Sequence, residues 1–164
     1  MPDFDDLLAA NQEYAAGFTQ SGLDGVARRG VAIVTCMDSR IDPLGMLGLK
    51  AGDAKILRNP GGRVDHITLE ALVLAVHLLG VERVMIAPHT KCAVASNTEA
   101  ELRSRIEESA GMDASWQSIH VVRDQLDSLA DDVQKVRTHP LVPETVQVGG
   151  FIYDVDTGLL ERQY

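Results

Sequence analysis

The stretch Gly30-Val31-Ala32-Ile33-Val34-Thr35-Cys36-Met37-Asp38-Ser39-Arg40 decides how this chain is read. Residues 30–36 form a short apolar, β-branched run with no polar alternation, which predicts a strand buried on both faces. Met37 to Arg40 then bring a carboxylate and a guanidinium beside the Cys36 thiol. Ligand sites in α/β folds sit at the carboxyl ends of strands, so a strand opening into such a loop marks a candidate site.

Outward from this strand, Ala54-Lys55-Ile56-Leu57-Arg58 predicts a second strand, ended by the turn Asn59-Pro60-Gly61-Gly62. Residues 66–79 are apolar almost all round, with Asp65 able to cap the start and Gly80 the end; that predicts a buried helix. Arg83-Val84-Met85-Ile86-Ala87 predicts a third strand, and Thr98-Glu99-Ala100-Glu101 a capping box opening a helix that ends near Gly111. Ser118-Ile119-His120-Val121-Val122 is expected to be a fourth strand. Leu126, Leu129, Val133 and Val136 mark one stripe of a last helix, stopped before Pro140. The residues on either side of Asp156-Thr157-Gly158 predict a C-terminal hairpin.

Strands alternating with helices predict an α/β fold: a mainly parallel central sheet flanked by helices, with the hairpin as an antiparallel edge. The 164 residues suit one domain, 1–164. Within it, residues 1–25 are expected to be a helical arm and linker, because apolar residues between Phe4 and Phe18 have rough helical spacing and Ser21-Gly22 and Gly25 follow. The arm can pack on its own domain or on a partner subunit.

Apolar residues make up 45% and charged residues 24%, which is ordinary for a globular protein, and the net charge is −9. That charge repels phosphate backbones and anionic membranes, so neither nucleic acid nor membrane is an expected partner. No apolar run reaches the roughly 18 residues of a spanning helix. The first basic residue is Arg28, so a secretory leader is not expected and the expected location is cytoplasmic.

Cys36 and Cys92 are the two cysteines. In a reducing compartment they are metal ligands, catalytic thiols or inert core. Cys36-Met37-Asp38-Ser39-Arg40 and His89-Thr90-Lys91-Cys92 lie at the ends of the first and third expected strands. Together they supply two thiolates, an imidazole and a carboxylate, a set suited to tetrahedral zinc. Buried core thiols are the bland alternative. Asp38 and Arg40 could equally be a surface ion pair worth at most about 1 kcal/mol. A phosphatase loop fits poorly, because Asp42 stands six residues after Cys36, where a Cys-x5-Arg loop needs its arginine.

Cys36-x-Asp38-x-Arg40 with His89-x-x-Cys92 resembles the signature of the β-class carbonic anhydrases. Arg58-Asn59-Pro60-Gly61-Gly62 resembles their Arg-Asn-Ala-Gly turn, and Gly150-Phe151-Ile152-Tyr153-Asp154-Val155-x-Thr157-Gly158-x-Leu160 their terminal hairpin. The likeness runs from about residue 30 to the C-terminus and is closest to the short bacterial members. Ala93 stands where the family usually has Gly, Lys91 where it commonly has Asp or Gly, and Pro60 where it has Ala.

The resemblance implies zinc (Zn2+) on Cys36, His89 and Cys92, with water or, in a closed state only, Asp38 in the fourth position. It implies reversible hydration of carbon dioxide to bicarbonate and a proton, and a homodimer or higher homo-oligomer. Asp38 and Arg40 are the expected catalytic pair, with Arg40 expected to hold Asp38 off the metal and Asp38 to accept a hydrogen bond from the attacking oxygen. Activity is expected to rise above neutral pH. Asn59, Gly61 and Gly62 are expected to line the substrate pocket, and His66, His77, His120 and His139 to be structural or surface residues. Relatives that hydrolyse carbonyl sulfide or carbon disulfide use the same zinc site, and an inactive zinc-binding homologue is a further alternative.

Overall fold

The computed structural model describes residues 3–164; Met1 and Pro2, the first residues of the expected arm, lie outside the described part. Helix α1 (Asp5–Ala16) comes first and buries none of its residues. Strands β1 (Val31–Cys36) and β2 (Ala54–Asn59) follow, with a short 3-10 turn at Gly45–Leu47 between them and another at Pro60–Gly62. Next come α2 (His66–Leu78), β3 (Arg83–Ala87), α3 (Ala93–Ser96), α4 (Glu99–Ala110) and α5 (Gln125–Arg137). Strands β4 (Gln147–Tyr153) and β5 (Leu160–Arg162) close the chain.

The five strands form one sheet in the order β2-β1-β3-β4-β5. All neighbours are parallel except β4 and β5, the antiparallel hairpin. This is the α/β arrangement expected from the sequence. Central β1 is buried at every position, as its unbroken apolar run requires. Ala32, Val34, Val84, Ile86 and Val148 from the strands cluster with Leu72 and Ala75 of α2 and with Leu129, Val133 and Val136 of α5. Gly150 lets α5 approach β4 closely, because a β-carbon there would stand 3.0 Å from both Leu129 and Val133.

The helix starts follow the sequence. Asp65 accepts from the Thr68 amide at 2.8 Å, Asp124 from the Asp127 amide at 2.9 Å, and Thr98 and Glu101 form the reciprocal capping box. Such caps each contribute about 1 kcal/mol. At the α2–α5 junction Asp132 is buried and ionic. It accepts from Arg63 Nε at 2.5 Å, the Val64 amide at 3.0 Å and Lys135 Nζ at 2.9 Å. Burial works against its charge, but these donors outweigh it and hold its carboxyl below the usual range.

Two expectations are corrected. Residues 118–122 do not form a strand. The place beside β3 is filled by β1 and β4, and the segment lies off the sheet, against α3 and α4. It is anchored instead by the Val122 amide on the Val94 carbonyl at 2.7 Å and the Ile119 amide on Glu99 at 3.0 Å. Helix α2 is not buried all round either: Thr68, Leu72 and Ala75 face the core, while Ile67 and Leu78 are 64% and 68% exposed and Leu74 is also exposed. Its apolar outer face has no cover among the described residues.

Candidate metal centre

Three loops meet at the carboxyl edge of the sheet. Cys36 ends β1, and the 88–92 loop follows β3, its parallel neighbour. The two strands run side by side, so Cys36 and the His89–Cys92 pair emerge together. The ligand atoms of Cys36, His89 and Cys92 all lie within 4.8 Å of one another, and all three residues are buried. The two sulfurs stand 3.9 Å apart and are not bonded to each other.

These residues fit a zinc ion. Two sulfurs each about 2.3 Å from a tetrahedral ion stand roughly 3.8 Å apart. His89 Nδ1 donates to the Thr90 carbonyl at 2.8 Å, which leaves the Nε2 lone pair free for a ligand bond. That Nε2 is buried and has no hydrogen-bond partner among the described residues, a costly state unless something takes the lone pair. The thiols are poised as well. The hydrogen bond between the two sulfurs favours one thiolate, lowering Cys36 against its burial with help from the Gly61 amide and raising Cys92 in turn. Burial opposes charging His89, but the neighbouring Cys36 thiolate raises its pKa.

Asp38 is held beside this cluster. Arg40 grips it in a fork, Nε to Oδ1 at 2.9 Å and Nη2 to Oδ2 at 2.7 Å, and the Arg40 amide adds a bond to Oδ1 at 2.9 Å. The fork keeps the Asp38 carboxyl well below the usual carboxylate range. Asp38 Oδ2 is 3.7 Å from His89 Nε2, so the carboxylate stands at the cluster while bound to the guanidinium.

The Asn59–Gly62 turn lies against the same cluster. The Gly61 amide donates to Cys36 Sγ at 3.3 Å. A β-carbon on Gly62, whose φ is +65°, would stand 3.0 Å from the Cys36 amide, so only glycine allows this approach. The Asn59 side chain is occupied with the turn: its Nδ2 donates to the Arg63 carbonyl and Thr68, and its Oδ1 accepts from the Arg63 amide. Asn59 also borders a cavity of about 620 Å³ between α2 and residues 118–122, lined in part by His66 and His120.

Several supports carry no assigned role in the sequence reading. Arg58 reaches across from β2 and donates to the Cys36 carbonyl at 2.9 Å and the Asp38 carbonyl at 2.6 Å. Gln125 donates to the His89 carbonyl at 2.9 Å. The backbone of the hairpin brackets the imidazole loop, with the Tyr153 amide on the Pro88 carbonyl and the Thr90 amide on the Tyr153 carbonyl, both at 2.9 Å. Arg58 opens the turn that resembles the family's Arg-Asn-Ala-Gly motif, and that was its available signal; the others act through partners that only the fold brings near.

Comparison with known proteins agrees with this geometry. The carbonic anhydrase family model matches residues 31–160. Beta-carbonic anhydrase 1 of Mycobacterium tuberculosis is 32% identical over 96% of each chain. The crystal structure of carbonic anhydrase from Streptococcus mutans superposes with a TM-score of 0.86 at 37% identity, covering 99% of this chain and 98% of that one. A carbon disulfide hydrolase of Acidithiobacillus thiooxidans is 28% identical over 78% of this chain and 74% of its own. The chain belongs to the β-carbonic anhydrase family. It is a zinc-dependent carbonate dehydratase, a lyase.

Proposed function

We propose that this chain hydrates carbon dioxide reversibly to bicarbonate and a proton, with Cys36, His89 and Cys92 as zinc ligands and Asp38 and Arg40 as the catalytic pair. The observation that carries these assignments is the convergence of two buried sulfurs and an unpartnered imidazole nitrogen beside a carboxylate held by a guanidinium. When bound, zinc supplies Lewis-acid activation of a water molecule. The chain does the rest. Asp38, kept ionised, accepts a hydrogen bond from the attacking oxygen and so aims a lone pair at the substrate carbon. Arg40 would keep Asp38 in that role and off the ion. The Gly61 amide stabilises the Cys36 thiolate, and Arg58 fixes the backbone on both sides of Met37. Asn59, Gly61 and Gly62 wall the substrate pocket.

The chain acts as one catalytic domain, residues 1–164, with 1–25 as an arm that packs on a second subunit of a homodimer or larger homo-oligomer. The exposed Phe4, Leu7, Leu8 and Tyr14 of the arm and Ile67, Leu74 and Leu78 of α2 support this, because large apolar groups gathered on uncovered helix faces favour a partner. Two unbonded thiols and an acidic surface suit a reducing cytoplasm, and no helix among the described residues is long and apolar enough to cross a membrane.

Stopped-flow hydration of carbon dioxide, run with zinc analysis of the same sample and with carbon disulfide as a second substrate, tests the proposal. Near-stoichiometric zinc and fast hydration are expected. Turnover of carbon disulfide in place of carbon dioxide would move the assignment to the hydrolase chemistry named for the Acidithiobacillus relative.

A further inference from the structure

Lys91 is the one non-glycine residue among those described with a left-handed backbone, at φ 57°. Side chains avoid this region because the β-carbon crowds the following carbonyl, so the surrounding structure must hold it there. The turn aims the Lys91 carbonyl at Arg40, whose Nη2 donates to it at 3.3 Å while also bonding Asp38 Oδ2 at 2.7 Å. One guanidinium nitrogen is thus shared between the catalytic carboxylate and the Lys91 backbone.

The Lys91 side chain is anchored on the opposite side. Its Nζ donates to Asp156 Oδ2 at 2.5 Å, across the gap to the C-terminal hairpin. Asp156 sits in a turn that Asp154 ties together, accepting from the amides of Asp156 and Thr157 at 2.8 and 2.9 Å. The same hairpin holds the neighbouring loop through the Val155 amide on Thr90 Oγ1 at 3.1 Å.

We propose that Lys91 and Asp156 form a brace from the C-terminal hairpin to the metal loop, and that this brace positions Arg40 for its grip on Asp38. Lys91 and Asp156 are positioning residues: neither touches the reacting atoms. Both side chains are more than half exposed, so the brace tunes the site by a few-fold and does not hold up the fold. The proposal rests on the assignment of Asp38 and Arg40 as the catalytic pair.

The test uses full-length Lys91→Met, which keeps an unbranched side chain one atom shorter and the same backbone strain but removes the charge, together with Asp156→Asn, the double variant and Lys91→Arg. Two quantities are measured: kcat/KM for carbon dioxide hydration, and hydrogen exchange of the Arg40 Nε–H by nitrogen-15 NMR. Each single neutral variant should lower kcat/KM about twofold to fivefold and speed the exchange by a similar factor. The double variant should be no worse than either single, because the two residues act as one unit. Lys91→Arg should restore the parental values of both quantities. Unchanged Nε–H exchange in Asp156→Asn, or losses that multiply in the double variant, would overturn the brace. An inactive parent protein would instead overturn the catalytic assignment, and the exchange readout would still judge the brace.

Discussion

Asp38 stands between a guanidinium and an imidazole, and the distances, 2.7 Å to Arg40 and 3.7 Å to His89, show which holds it. The fork geometry matters more than the charge, since two parallel bonds fix the direction of the carboxylate as well as its ionisation. Arg40→Ala is therefore expected to retain zinc while losing at least about tenfold in kcat/KM, the order of effect when an orienting contact to a reacting group is removed. Metal analysis beside the kinetic assay checks this; an empty site in the variant would contradict the role given to Arg40. At this scale much was legible in the sequence. Cys36, His89 and Cys92 could be placed together because they end neighbouring strands. The left-handed Lys91 could not, since nothing in the local residues calls for that conformation. Nor could the Gln125 contact with His89, which depends on where α5 docks.

Among the elements, the strands read most clearly from the residues themselves. Val31 to Cys36 and Arg83 to Ala87 are apolar runs too short for helices and rich in β-branched groups, so local chemistry and the final fold agree. Ser118 to Val122 carries similar residues and fails as a strand, because the fold sets it beside α3 and α4, where Val94 and Glu99 take its amides. Helix α2 read as apolar on every side, and no local signal tells a face covered by the chain's own core from one left open. The buried Asp132 was equally hidden: its donors Arg63 and Val64 lie far off in sequence. Replacing Asp132 by Asn should destabilise the protein by about 2 to 3 kcal/mol at neutral pH, as donors to a buried carboxylate lose their charged partner. Because its folded-state pKa is depressed, its stabilisation is present above the unfolded value near 4 and fades as pH falls through the folded value. Urea melts of the two proteins at pH 7 and pH 3 should show a gap that narrows in acid.

For the whole molecule, the uncovered side of α2 and the wholly exposed α1 point outward from a core that is otherwise closed. If a second copy covers them, Leu74→Glu places two charges in one symmetric contact and should weaken assembly about a hundredfold or more, read by sedimentation at micromolar concentration. A mass unchanged from the parent across that range would remove α2 from the interface.

The Cys36 and Cys92 sulfurs are separated by more than fifty residues of chain, yet only the finished sheet sets them 3.9 Å apart. An unfolded chain would have to close that long loop before both thiols could grasp one cation, so the ion discriminates strongly in favour of the native fold. Heat resistance should thus follow free zinc in the surrounding medium, and a chelator would act on this protein as a mild denaturant.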